Sequence, residues 1–158
     1  MHLSKEILHS HSLDEVLESL KKTIETKGGL LPEDLIEEDL FFLYDLAFQL
    51  YQSSDYNSAI DVFKRLVIAK PFEVSYWKGY AGSLQMQKKF SEALLPWSMC
   101  CLIDPENPLF HYHAAECLFA LGNSKEGKEA LLAAETRDKT GLLKNKIEAF
   151  KLAWEGKS

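Results

Sequence analysis

The chain has 158 residues, of which 46% are hydrophobic and 27% charged, and its formal net charge is -6 at pH 7. That length suits one compact unit with a core of its own. The acidic balance, with no basic cluster along any face, leaves nothing to neutralise phosphates and argues against nucleic acid and anionic membrane surfaces as partners.

In chain order, Met1 to Ser10 carry no basic segment followed by an apolar run, so they do not read as a signal peptide. The richest apolar stretch, Leu40 to Tyr51, is interrupted by Asp45 and Gln49 and falls short of the roughly 20 residues that span a bilayer. A soluble cytoplasmic protein without membrane insertion is expected. Leu13, Val16, Leu17, Leu20 and Ile24 fall on one helical face. Ser12 and Glu15 form a capping box ahead of it, and Gly28 and Gly29 end it. Residues 1–29 therefore form a separate N-terminal helical segment, whose stripe must bury on the rest of the chain or against a second copy. Pro32, Glu33 and Asp34 signal another helix start. With Glu37, Glu38 and Asp39 they read as a solvated face that suits the positive end of a helix dipole.

A period then dominates. Pro71 and Pro105 lie 34 residues apart, and Ala47 and Ala81, Leu50 and Leu84, Tyr56 and Phe90, Ala59 and Ala93, and Phe63 and Trp97 share that offset. Thirty-four is the tetratricopeptide (TPR) length, with its pattern W-x-x-L-G-x-x-Y, A-x-x-x-F and P. The first unit supplies Leu43, Leu46, Ala47, Leu50, Ala59, Phe63 and Pro71, and the second Trp77, Tyr80, Ala81, Leu84, Ala93, Trp97 and Pro105. The third keeps Ala114, Ala115, Leu118 and Leu131 but places His111, Gly127 and Lys139 at the Trp, Ala and Pro positions, as a terminal repeat packed on one neighbour can. Leu143, Ile147, Phe150 and Trp154 form the stripe of a last helix. The expected fold is all-α: three tandem TPR helix-turn-helix repeats in a right-handed solenoid. They occupy about 40–73, 74–107 and 108–141 within residues 30–141, with an N-terminal helix and a capping helix in 142–158. Pro96 is expected to kink the second helix of the middle repeat.

The first helix of repeat one has a second stripe, Phe41, Tyr44, Phe48 and Tyr51, at spacings of three, four and three. A helix apolar nearly all round is expected to be buried all round. This second face lines the concave side of a TPR stack, where extended peptides lie, and aromatic residues there offer contact area and hydroxyl groups. The same positions are Ser75, Lys78, Gly82 and Gln85 in repeat two, and Leu109, Tyr112, Glu116 and Phe119 in repeat three. Gly82 would let a ligand backbone approach closely. The competing reading covers the aromatic face with the N-terminal helix or a dimer partner.

The run Leu43-Tyr44-Asp45-Leu46-Ala47-Phe48-Gln49-Leu50-Tyr51-Gln52-Ser53 with Tyr56, the run Trp77-Lys78-Gly79-Tyr80-Ala81, and Phe110-His111-Tyr112-His113-Ala114-Ala115-Glu116-Cys117-Leu118 resemble the class II chaperones of type III secretion, the SycD/LcrH group, over about residues 35 to 135. The resemblance implies a chaperone of the bacterial cytoplasm that holds hydrophobic translocator proteins before secretion, through an extended P-x-L-x-x-P-like segment in the groove. It places groove aromatics at Tyr44, Phe48, Tyr51 and Tyr56, with Ala69 where some members carry a larger aliphatic residue. It also implies a homodimer formed through the N-terminal helix, hence through Leu13, Val16, Leu17, Leu20 and Ile24. The full set expected to bind the client is Phe41, Tyr44, Phe48, Tyr51, Tyr56, Ala69, Lys78, Gly82, Gln85, Tyr112, Glu116 and Phe119.

Other chemistry has little support. Cys100, Cys101 and Cys117 lack C-x-x-C spacing and read as reduced, buried thiols. His111 and His113 point to different helix faces, so with Cys117 they make at most a partial metal site, and His9 and His11 lie near the terminus. No phosphate loop or G-x-S-x-G motif occurs, so neither an enzyme nor a cofactor is expected. The alternatives are a general TPR adaptor or a structural assembly subunit. An adaptor of the carboxylate-clamp type is disfavoured, because its basic groove positions are Tyr44, Phe48, Gly79, Leu109 and His113 here, with Glu116 nearby to repel a terminal carboxylate.

Overall fold

The computed structural model describes residues 13–26 and 35–156, with eight α-helices and no strand among them. They are α1 (Leu13–Thr26), α2 (Glu37–Gln52), α3 (Tyr56–Ala69), α4 (Val74–Met86), α5 (Phe90–Ile103), α6 (Pro108–Ala120), α7 (Ser124–Arg137) and α8 (Lys144–Glu155). The hairpins α2–α3, α4–α5 and α6–α7 stack in order, α1 packs on α3, and α8 closes the far end.

The repeat is visible in the hairpin turns. Ser54, Lys88 and Gly122, each 34 residues from the next, all adopt positive φ, at 65°, 59° and 81°. In each turn the following N–H reaches back across the helix end: Asp55 to Leu50 O at 2.9 Å, Lys89 to Leu84 O at 3.0 Å and Asn123 to Leu118 O at 2.9 Å. This left-handed cap satisfies the last carbonyls and reverses the chain within three residues. The small positions Ala47, Ala81 and Ala115 are all 0% exposed, as helices in close contact require.

The turns between hairpins share a second latch. Trp77 Nε1 donates to Pro71 O at 2.7 Å, and 34 residues on, His111 Nε2 lies 2.8 Å from Pro105 O. A carbonyl only accepts, so Nε2 carries the proton and Nδ1 is left to accept from Cys101 Sγ at 3.7 Å. His111 thus replaces the tryptophan function at a position where the sequence looks degenerate. Gly127 has a comparable reason: a Cβ there would lie 3.1 Å from the Phe119 ring.

One core runs from Val16 through α6, and a second joins α6 and α7 to Leu143 and Ile147. Of the N-terminal stripe, Val16 is buried and Leu17 and Leu20 are partly buried against the first core, so these three pack within the chain. The side chains of Leu13 and Ile24 lie outside the described residues, as do Ser12, Gly28, Gly29, Pro32, Glu33, Asp34, His9 and His11. Helix α5 runs unbroken through Pro96, which is fully buried.

The expectation that α2 is buried all round is corrected. Only Leu40 and Ala47 are fully buried, while Phe41, Phe42 and Phe48 are 78%, 68% and 48% exposed. Helix α2 is the first helix of the stacked hairpins, so α3 and α4 cover one side of it, and among the described residues no earlier hairpin covers the other.

Candidate functional site: an aromatic groove with a polar end

Across the first helices of the three hairpins lies a groove of about 440 Å³. Its wall on α2 is Tyr44, Phe48 and Tyr51, and Phe63 rises from α3 into its floor. Helix α4 contributes Ser75, Lys78, Gly79, Gly82, Gln85 and Met86, and the far end is Trp97, His113 and Glu116.

The two tyrosine rings are each set by aromatic neighbours. Tyr44 meets Phe63 edge-on at 6.4 Å and Tyr76 at 5.4 Å, while Tyr51 meets Tyr56 edge-on at 5.4 Å. Such geometries add about 0.5–1.5 kcal/mol per pair beyond area burial and fix the rings before a ligand arrives. Burial, with Tyr56 beside it, raises the Tyr51 phenol above its ordinary value, so it stays neutral and keeps its proton to donate. Gly79 is required by the floor, because a Cβ there would stand 2.2 Å from the Phe63 ring; at Gly82 it would stand 3.7 Å from Tyr51, an ordinary contact.

The far end is polar and tightly organised. Trp97 Nε1 donates to Gln85 Oε1 at 2.8 Å, and Gln85 Nε2 donates to Glu116 Oε1 at 3.2 Å. His113 Nδ1 donates to the same oxygen at 2.6 Å, with its ring stacked on Trp97 at 4.6 Å and 22°.

Seven of the residues expected to bind a client lie together in this groove: Tyr44, Phe48, Tyr51, Lys78, Gly82, Gln85 and Glu116. The other five do not line it. Phe41 projects into solvent, Tyr56 braces Tyr51 from behind, and Ala69 packs against the first core. Tyr112 and Phe119 are covered by α8: Phe150 lies 6.1 Å from Tyr112 and 5.0 Å from Phe119, and Trp154 lies 4.4 Å from Phe119. Sequence reasoning did not assign Phe63, Gly79, Met86, Trp97 and His113 to the site. Phe63 and Trp97 are repeat-signature residues that serve core and groove floor at once, at 2% and 3% exposure. His113 was legible as the residue one helical turn ahead of Glu116.

The groove offers no reactive thiol. Cys100, Cys101 and Cys117 are free and buried, and burial pushes the Cys101 and Cys117 thiols up to about 12 and Cys100 well above its ordinary value. Among the described residues no group of three or more His, Cys, Asp or Glu is placed to hold a metal ion. No helix among them is long and apolar enough to cross a membrane.

Stacked 34-residue hairpins with an open groove on their first helices define a protein of the TPR class. Known proteins narrow the class. The family model described as "Anaphase-promoting complex, cyclosome, subunit 3" matches residues 52–134. The low calcium response locus protein H of Yersinia pestis is 30% identical over 140 residues, which span 82% of this chain and 83% of that protein. The Yersinia enterocolitica type III secretion chaperone SycD, solved with a peptide of the translocator YopD, superposes with a TM-score of 0.72 at 27% identity, covering 77% of this chain and 96% of that one. PcrH, solved with the chaperone binding region of PopD, gives a TM-score of 0.71 at 26% identity, covering 78% and 96%. The chain belongs to the SycD/LcrH family of type III secretion translocator chaperones.

Proposed function

We propose that this protein is a cytoplasmic chaperone of a bacterial type III secretion system, which holds a hydrophobic translocator through an extended P-x-L-x-x-P-like segment seated in the groove. The observation that carries this reading is the wall of aromatic side chains, Tyr44, Phe48 and Tyr51, above a floor of Phe63 and two glycines. An extended segment exposes alternate side chains to such a wall and leaves its backbone groups free for polar neighbours. The action is occupation without chemistry: binding an aggregation-prone apolar segment stabilises the soluble complex by mass action. SycD and PcrH, solved with segments of YopD and of PopD, support the same mode here.

The protein acts as a homodimer in this proposal, in keeping with a SycD structure described as an alternative dimer. Within one copy Val16, Leu17 and Leu20 pack on the chain's own core, whereas Phe41 and Phe42 stand exposed on α2, which begins the stack, and support an interface there.

Titration of the purified protein with a labelled P-x-L-x-x-P peptide, beside a scrambled control, tests the groove. Saturable binding by the wild type that falls at least tenfold in Tyr44→Ala/Phe48→Ala, with helicity intact, is expected. A folded wild type that does not bind the peptide refutes the reading.

A further inference from the structure

The groove is not apolar throughout, and its polar end is built to a pattern. Gln85 Oε1 accepts from Trp97 Nε1 at 2.8 Å and from Cys117 Sγ at 3.6 Å. Because the indole N–H only donates, the Gln85 amide is held with its NH2 turned to Glu116. Glu116 Oε1 therefore receives two donors, Gln85 Nε2 at 3.2 Å and His113 Nδ1 at 2.6 Å, and His113 is itself stacked on Trp97. Three helices, α4, α5 and α6, thus fix one carboxylate whose side chain is 29% exposed. Among the described residues nothing donates to its other oxygen, Oε2. Lys78, the cation on the groove wall, lies two turns before Gln85 along α4, about 10 Å away along the axis.

We infer that Glu116 is the polar specificity residue of the groove: its Oε2 accepts a hydrogen bond from an N–H donor of the bound segment, either a backbone amide or a Lys or Arg side chain. The inference rests on the peptide-groove reading above and adds the chemistry of the ligand to it. The physical reason is desolvation. A client that covers the groove removes water from Glu116, and a carboxylate oxygen stripped of water without a new donor is strongly penalised. A segment that leaves Oε2 without a donor is therefore rejected at this end, while one that presents an N–H there, from backbone or side chain, gains a charge-assisted bond to a preorganised acceptor.

The test is Glu116→Gln. Its amide oxygen can keep the bonds from Gln85 and His113, which leaves an NH2 where Oε2 stood, so donor faces donor. Two probes are titrated: a P-x-L-x-x-P peptide with alanine at every x, and the same peptide with lysine at the x and flanking positions. Expected are an unchanged melting temperature and affinity at least tenfold weaker for one or both probes. If only the lysine probe weakens, the donor is a basic side chain; if both weaken equally, it is a backbone amide. Wild-type affinity within twofold for both probes, while Tyr44→Ala/Phe48→Ala has lost both, overturns the inference and leaves the groove reading standing. Failure of the wild type to bind either probe overturns the groove reading and this inference with it. Should Glu116→Gln not fold, the carboxyl carbon resonance of Glu116 in the wild type decides: it shifts on saturation with peptide, and an unmoved resonance beside shifting Tyr44 signals overturns the inference.

Discussion

Two glycines three residues apart on the same face of α4 should respond to alanine in opposite directions. At Gly79 the added methyl would stand 2.2 Å from two atoms of the Phe63 ring and 2.8 Å from a third. Ordinary contact begins near 3.4 Å, so the ring must retreat by more than 1 Å, and at 2% exposure it has little room. Overpacking of this kind costs about 1–3 kcal/mol. Removing a helical glycine returns about 0.5–1 kcal/mol. Gly79→Ala should therefore destabilise by about 1–2 kcal/mol, and because Phe63 supports Tyr44 edge-on, the displacement should also weaken peptide binding. At Gly82 the same methyl meets only Tyr51, at 3.7 Å. Gly82→Ala should stabilise by about 0.5–1 kcal/mol while narrowing the groove and reducing affinity. Thermal and urea denaturation followed by circular dichroism, with peptide titration of both variants, reads all four outcomes. At about 2–4 °C per kcal/mol for a chain of this size, the two melting temperatures should separate by several degrees. A Gly79→Ala protein at least as stable as Gly82→Ala would refute the placement of Phe63 in the groove floor.

The hairpin turns and latches make further predictions. Ser54→Gly and Lys88→Gly relieve a left-handed conformation that Gly122 already meets with glycine, and each should raise stability by about 1 kcal/mol in denaturant titration. Trp77→Phe strands the Pro71 carbonyl and opens a cavity, at about 2–3 kcal/mol. His111→Phe should cost only about 1 kcal/mol, because Arg137 Nε still donates to Pro105 O. Burial, with Arg137 nearby, lowers the His111 pKa below its ordinary value. Its contribution to stability is therefore complete above about pH 6.5 and is lost as pH falls toward the folded-state value. Melting temperatures between pH 7 and 5 should fall in the wild type and fall less in His111→Phe. Trp154→Ala uncovers Phe119 and should cost about 1–3 kcal/mol, less than a fully buried tryptophan would.

The architecture was legible in the sequence because it is periodic. A 34-residue spacing of Ala, Leu, aromatic and Pro positions repeats one local hairpin, and each hairpin buries its stripe only by stacking on the next, so the order of helices follows from order in the chain. The aromatic wall on α2 was legible for a similar reason, since Phe48 and the two tyrosines recur on a face that the core stripe does not use. The departures from the repeat pattern at His111 and Gly127 look degenerate in the sequence, and only the structure explains them: His111 reaches a carbonyl in place of tryptophan, and Gly127 makes way for Phe119. Where the groove ends was likewise decided in three dimensions. Tyr112 and Phe119 occupy the same repeat positions as Tyr44 and Tyr51, but α8 lays Phe150 and Trp154 over them. No periodic signal places a capping helix on one face of its neighbour. The network of Trp97, Gln85, His113 and Glu116 joins three helices through distances of 2.6 to 3.2 Å. Sequence spacing determines which side chains share a helical face, whereas contacts between faces of different helices depend on how the helices pack.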